Sequence, residues 1–285
     1  MTEAGLLLAL GCALLTNVAL LCKHRGAVEA PSVTFRHPLR SGAALFASKW
    51  WTIGFAIAFV AWALHVAALA IAPLSLVQAV IAGGLALLAL PARHLFGISL
   101  GWRELAGLGL SAGGLAFLAL TAGEHQSSGS YEVGTMAAFE GGAIVLGAAL
   151  LLGGTRGDAH PHGGLLLGAA AGLLIGVSDV ALKALAETVP MDAISILSPW
   201  TAVAIVASIG AFYALARSLQ LGDAVEVIVL SSVAANCAAI IGGVLVFGDP
   251  IGSDALGVAA RSAAFLAVIA AAALIPAPRP APERA

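Results

Sequence analysis

The chain has 285 residues, of which 60% are hydrophobic and 10% are charged, whereas soluble domains carry about 25% charged residues. So apolar a chain excludes a water-soluble fold, and the formal net charge of -2 excludes a nucleic-acid partner, because few basic groups are left to neutralise phosphates. The composition therefore predicts an all-α integral membrane protein whose main partner is the lipid bilayer.

Apolar stretches of roughly 20 residues, the length that crosses a bilayer as a helix, follow one another along the chain. Short polar breaks separate them, and one break is assigned at Pro73, which lacks an amide hydrogen and disfavours helix at the preceding residue. The pattern predicts about nine transmembrane helices. They cover residues 5 to 22, 50 to 71, 74 to 92, 103 to 121, 134 to 153, 164 to 186, 194 to 216, 224 to 247 and 254 to 275.

The two ends of the chain lie outside this pattern. Glu3 is the charged residue ahead of the first apolar stretch, so the basic segment typical of a cleaved signal peptide is missing and a retained helix is expected. Residues 276 to 285 alternate Pro with Ala, Arg and Glu and are expected to form a disordered tail.

Lys and Arg fall almost entirely on one side of the predicted membrane. Eleven of them share that side: Lys23, Arg25, Arg36, Arg40, Lys49, Arg93, Arg103, Arg156, Arg217, Arg279 and Arg284. The excess of basic residues predicts that this side is cytoplasmic, with the N-terminus outside and the C-terminus inside the plasma membrane. The stretch from Lys23 to Lys49 is expected to be a basic loop attracted to anionic headgroups.

The chain also contains an internal repeat. A shift of 150 residues superposes Trp50 on Trp200 and Glu104 on Asp254, and a shift near 160 brings the first span onto the sixth. The repeat predicts a first unit over residues 1 to 121, a joining helix with its loops over 122 to 163, and a second unit over 164 to 275. Corresponding helices are five spans apart, so the two four-helix units are expected to be inverted, as in secondary transporters.

Polar side chains inside apolar helices are the candidates for a substrate or ion pathway, because burying them in lipid is costly. The candidates are Asn17, His65, Gln78, Asp179, Lys183, Glu226 and Asn236. Asp179 and Lys183 are one helical turn apart, so they either neutralise each other or hold a zwitterionic solute together. His65 is a plausible proton acceptor or a structural histidine.

Structural roles compete with this interpretation. The three amides in the set could bond between helices, and Glu226 could either serve gating or coupling or complement the dipole at the start of its helix. Glu140, in the joining helix, is expected to be exposed at the membrane interface.

Neither a cofactor nor an enzymatic activity is predicted. The loop around Asp158, His160 and His162 lacks the three or four ligands at the spacing typical of a zinc site. The sequence also contains no pattern of a nucleophile paired with a base, and no phosphate-binding loop. The three cysteines have no paired spacing and are expected to be free, buried thiols.

Three motifs carry a family resemblance. They are Lys49-Trp50-Trp51 at the start of a span, the Ala-Pro-Leu-Ser-Leu-Val run at 72 to 77, and Ser178 with Lys183 in the first helix of the second unit. On these residues the chain resembles the drug/metabolite transporter superfamily, with its EamA-like members, and looks most like the NIPA-type magnesium transporters. The resemblance implies a transporter with its site between the repeats.

The same resemblance bears on the solute. Where NIPA proteins carry an acidic residue and then an asparagine, this chain has Trp62 and His65. A secondary-active transporter of a small polar metabolite or drug is therefore expected first, and a magnesium or divalent-cation transporter second. A transporter is expected to open a polar cavity reached by His65, Gln78 and Asp179, whereas a non-transporting scaffold subunit could be packed solid. The sequence leaves open whether the protein forms a homodimer.

Overall fold

The computed structural model describes residues 2–71, 80, 84–88, 91, 92, 94, 101–121, 131–155, 162–188, 197–248 and 255–274. Within these residues the chain is helical throughout its regular structure and forms no strand, which confirms the all-α class. The helices are α1 Thr2–Glu29, α2 Pro38–Ala47, α3 Lys49–Ile71, the 3-10 helix η1 Gly84–Leu88, α4 Trp102–Thr121, α5 Val133–Thr155, α6 Gly163–Thr188, α7 Pro199–Leu221, α8 Ala224–Phe247 and α9 Ala255–Leu274.

Several of these helices are long and apolar enough to cross a membrane, as a multi-pass membrane protein requires. Among the described residues there are five, in α1, α5, α6, α7 and α8, or six if the bent pair α2 and α3 counts as one span. Most of the predicted third span, 74 to 92, lies outside the described residues, as do Pro73 and the tail from 276 to 285. The number of nine spans therefore stays a prediction.

The predicted basic loop between Lys23 and Lys49 is wrong in part. α1 continues through Lys23 and Arg25 to Glu29, and residues 38 to 47 form α2, which meets α3 at 91°. Pro38 stands in the first turn of α2, where its missing amide hydrogen costs nothing. Ser48 lies at the bend between the two helices, and its N–H donates to the Leu45 carbonyl at 3.0 Å.

The seventh predicted span, 194 to 216, is displaced by five residues along the chain. The helix α7 begins at Pro199, which again occupies the first turn, and continues to Leu221. Arg217 lies within α7, close to its end, because a basic side chain near the end of a helix in lipid can extend to the interface.

Six helix ends meet at one end of the bundle, which we call the basic end because it carries Lys23, Arg25, Lys49 and Arg217. The Gln220 side chain at the end of α7 donates to the Ala27 carbonyl at the end of α1, 2.8 Å away. Further contacts there join the end of α1 to the start of α3, the end of α7 to the starts of α6 and α8, and the end of α5 to the start of α6. These contacts agree with the alternating directions expected for α1, α3, α5, α6, α7 and α8.

The core of the second unit is built around α6, which packs against α5, α7 and α8. Glycines bring α6 and α8 to backbone distance: a methyl group on Gly172 would overlap the Ser231 carbonyl, and one on Gly176 would lie 2.9 Å from the Ala235 oxygen. Small residues allow such close approach in lipid, where dispersion between backbones replaces the hydrophobic effect. In the first unit, α1 packs against α3 and η1, and α4 packs against α9.

Candidate functional site

The predicted pathway residues do not form one cluster within the described part of the chain. Gln78 lies outside the described residues, and His65 is described only as part of the α3 backbone, so the predicted cavity reached by His65, Gln78 and Asp179 stays a prediction. The remaining five occupy separate positions on α1, α6 and α8. Their surroundings differ, so each has to be considered by itself.

Asn17 is a buried side chain in α1 that joins two helices. Its Nδ2 donates to the Gly84 carbonyl of η1 at 2.9 Å. A carbonyl oxygen has two lone pairs, so the Gly84 carbonyl can accept this side-chain donor in addition to a backbone N–H, and the bond ties α1 to η1. Of the two roles expected for Asn17, the bond between helices is the one observed.

Asp179 and Lys183 lie on the same side of α6 but in different surroundings. The Asp179 side chain is exposed on the surface of α6, in contrast to its neighbours Ser178 and Val180, which are buried. The Lys183 Nζ is 4.1 Å from the centre of the Phe247 ring of α8, a cation–π contact. A carboxylate at the surface of an apolar span is costly to leave against lipid, and a basic group stands one turn away.

The polar residues of α8 have roles within their own helix. Asp223 caps α8 by accepting the Val225 N–H at 2.9 Å, and Glu226 is buried in the first turn, where a carboxylate complements the helix dipole. Asn236 Nδ2 donates to the Ser232 carbonyl one turn earlier at 2.7 Å. A bond from Asn236 to another helix was expected, but its side-chain nitrogen bonds within α8.

Glu140 contradicts its expected exposure at the interface. Its residue is 2% exposed, and neither carboxyl oxygen has a hydrogen-bond partner among the described residues. Met136, one turn earlier, packs in a cluster with α6, α7 and α8, and Gly147, two turns later, contacts Leu174 of α6. Glu140 therefore lies on the single packed stripe of α5, whose other faces expose large apolar side chains.

A second feature that sequence reasoning missed is a polar clamp at the basic end, formed by Gln220 of α7 on the segment 27–33. Gln220 Nε2 lies 2.8 Å from the Ala27 oxygen and 3.1 Å from the Pro31 oxygen, and its Oε1 accepts the Val33 N–H at 2.9 Å. The segment is the end of α1 and the turn after it, where the carbonyls have no complete helical turn ahead of them to supply donors; the Ala27 carbonyl also accepts the Ala30 N–H at 3.3 Å. The clamp joins the first unit to the second.

Aromatic contacts reinforce this junction. The Tyr213 hydroxyl donates to the Pro38 carbonyl at 2.8 Å, and the ring of Trp51 meets Phe212 edge to face with centres 5.5 Å apart. The Arg25 guanidinium lies 4.2 Å above the Trp50 ring. The Trp50-Trp51 pair therefore has a structural part here: Trp51 is fully buried between the two units, and Trp50 holds a basic group in place.

Replacing Gln220 by alanine is expected to loosen the segment 27–33. The buried Val33 N–H would lose its acceptor, which costs about 1–3 kcal/mol, so its amide should exchange hydrogen about tenfold faster or more. Hydrogen exchange with mass spectrometry on the purified protein measures this. Asn236→Ala is the matched control, since its amide bonds within its own helix; equal exchange in both variants would contradict the clamp.

The chemistry offered by the described residues is that of polar contact and charge. No group of three or more His, Cys, Asp or Glu side chains within them is placed to hold a metal ion, and the three cysteines are unpaired, with Cys12 and Cys22 buried and Cys237 partly buried. In comparisons with known proteins, the sequence matches no protein-family model, no characterised protein and no solved structure at a significant level.

Proposed function

We propose that this protein is a secondary-active transporter that moves a small polar solute, of the metabolite or drug class, by alternating access. In this proposal nine spans form two inverted four-helix units joined by α5, in the plasma membrane, with the N-terminus outside. The gradient of the solute or of a coupled ion drives the transport. The resemblance to the drug/metabolite transporter superfamily motivates the proposal, and the helix packing supports it.

The observation that carries the proposal is that the same helix pairs pack in both units. In the first unit α1 packs against α3 and η1, and η1 also contacts α4. In the second unit α6 packs against α7 and α8, and α8 also contacts α9. With η1 taken as part of the third span, these pairs correspond one to one. α4 and α9, the last helix of each unit, pack against each other, an arrangement that a twofold relation between the units allows.

Contacts at the basic end support a state that is closed on this side. The Gln220 clamp, the Tyr213 hydrogen bond and the Trp51–Phe212 contact all join the first unit to the second there. Alternating access requires such contacts to break when the units rock and that end opens. All three are small polar or aromatic contacts, which can be broken without unfolding either unit.

Asp179 is the residue that we assign to the solute. Its exposed carboxylate can bind a cationic or zwitterionic group, and Lys183 one turn away can bind an anionic one. A divalent cation, expected for a NIPA-like transporter, is the second candidate, because an exposed carboxylate also suits a hard cation. The divalent cation ranks second because this chain has Trp62 and His65 where NIPA proteins carry an acidic residue and an asparagine.

Flux in proteoliposomes tests the proposal. The purified protein is assayed with Mg2+ and with pooled amino acids and nucleosides, with and without a pH gradient. Metabolite flux is expected, and Asp179→Asn should lower it about tenfold or more, the loss typical of one hydrogen bond to a charged group. Glu132→Gln is the matched control, because that carboxylate is exposed just before α5 and accepts from Thr135.

The other outcomes decide against the proposal in different ways. Mg2+ flux that Asp179→Asn abolishes, without metabolite flux, would replace the metabolite by a divalent cation. Equal loss in the Asp179 and Glu132 variants would remove Asp179 from the solute pathway. Protein that is folded and monodisperse but passes none of these solutes would point to the non-transporting scaffold.

A further inference from the structure

We infer that the outer face of α2 is a binding site for anionic phospholipid headgroups. This outer face consists of Leu39 and Arg40 of α2 together with Phe35 and Arg36 in the turn that leads into the helix, and all four are exposed. The inference goes beyond transport: it concerns how the protein contacts the membrane that surrounds it, and its test needs no flux.

The direction of α2 is the first argument. α2 and α3 meet at 91°, and α3 is part of a span-length apolar segment. A helix perpendicular to a span lies in the plane of the membrane, and six other helix ends at the basic end put this level at the membrane surface. Helices in this position bury an apolar side among the acyl chains and keep basic groups at the headgroups.

The two sides of α2 differ as such a position requires. Ser41 and Leu45 are buried against the protein, whereas Leu39 is 87% exposed and Phe35, in the turn before the helix, is 40% exposed. Large exposed apolar side chains at a helix surface need an apolar neighbour, and the boundary of the bilayer supplies one.

Charge selects the kind of lipid. Arg36 and Arg40 are exposed and make no hydrogen bond or ion pair with a described residue, and the sequence from 30 to 52 contains no Asp or Glu. The nearest acidic residue along the sequence, Glu29, is paired with Arg25 at 3.2 Å. The face is therefore cationic and has no ion pair within the described part of the chain, which favours phosphatidylglycerol or another anionic lipid over zwitterionic lipids.

The inner side of α2 holds the face in position before any lipid binds. The Pro38 carbonyl accepts the Tyr213 hydroxyl at 2.8 Å, and the Ser41 hydroxyl accepts the Thr34 N–H at 3.0 Å. Phe46 stacks on Phe212 with ring centres 6.2 Å apart. Because the helix is already ordered, binding of a headgroup does not include the free-energy cost of ordering it, and the affinity is correspondingly higher.

Native mass spectrometry of the full-length protein, titrated in mild detergent with phosphatidylglycerol or with phosphatidylcholine, tests the site. Wild type is expected to bind phosphatidylglycerol more tightly. Arg36→Gln/Arg40→Gln should lower the affinity for phosphatidylglycerol roughly 25-fold, about 5-fold for each basic group at an anionic surface, and leave the affinity for phosphatidylcholine unchanged. Arg36→Lys/Arg40→Lys keeps the charge and should keep most of the preference.

Arg103→Gln is the control for general attraction, since Arg103 is an exposed basic residue at the start of α4. An unchanged preference in the double Gln variant, or an equal loss in Arg103→Gln, would overturn the site. The same spectra report the number of copies. A dimer in wild type that the double Gln variant loses, with lipid binding unchanged, would show that the face binds a second copy and would also overturn the inference.

Discussion

Replacing Gly172 by valine is expected to destabilise the protein strongly, by about 3 kcal/mol or more, the upper range for overpacking. The added Cβ would overlap the backbone carbonyl of Ser231, and a backbone atom of a packed helix cannot move aside as a flexible side chain can. Separation of α6 from α8 would in turn disturb the packing of α5 and α7, which contact the same helices. Thermal unfolding followed by circular dichroism in detergent measures the effect.

Gly142→Val is the matched control for the Gly172 variant. Gly142 also lies within a span-length helix, but nothing comes within 4 Å of a methyl group built there. The control should be neutral or slightly stabilising, since valine forms helix better than glycine. Equal unfolding temperatures for the two variants would mean that α6 and α8 are not in backbone contact.

Replacing Glu140 by methionine is expected to stabilise the protein by about 1–3 kcal/mol. Both carboxyl oxygens are buried without a partner among the described residues, and methionine fills a similar volume without a polar group to desolvate. The unfolding temperature should therefore rise. Glu132→Met, at an exposed position before α5, is the control and should change it little.

A lower unfolding temperature for Glu140→Met would mean that the carboxyl has a stabilising partner after all. If the variant is more stable and also transports less, the carboxyl is retained for function at a cost in stability, a common relation at functional sites. The flux assay on the Glu140 and Glu132 variants separates these two cases.

The sequence predicts the helical class and the bounds of some helices well, but not those of others. The all-helical class and the bounds of α5 and α8 follow from apolar runs, because lipid demands a continuous run of apolar residues and an internally bonded backbone. The start of α7 was misplaced by five residues, since 194 to 198 are as apolar as the helix itself and the boundary rests on Ser198 and Pro199. α2 was missed because ten residues with two arginines nearby fall below any spanning signal.

The residues of the candidate site were the least predictable. Asn17 and Asn236 carry the same amide in similar apolar helices, yet one bonds to η1 and the other to its own helix. Gln220 stood out in no pattern, because a single amide near a helix end is common, and its importance lies in the carbonyls of α1 that happen to face it. The position of Glu140 in the sequence of α5 does not indicate which side of that apolar helix it faces, and it is buried rather than exposed.

The sequence by itself determined that the chain is helical and suited to cross a membrane several times. It also showed which of the polar segments between apolar stretches carry Lys or Arg. Both properties depend on composition within a local window. Only the tertiary structure decided which polar groups meet: Gln220 with the end of α1, Asn17 with η1, and Glu140 with no partner in the described residues. Such contacts depend on the rotation of each helix about its axis. In a chain that is apolar on nearly all sides, the sequence gives little indication of that rotation, and the packing of small residues such as Gly172 sets it.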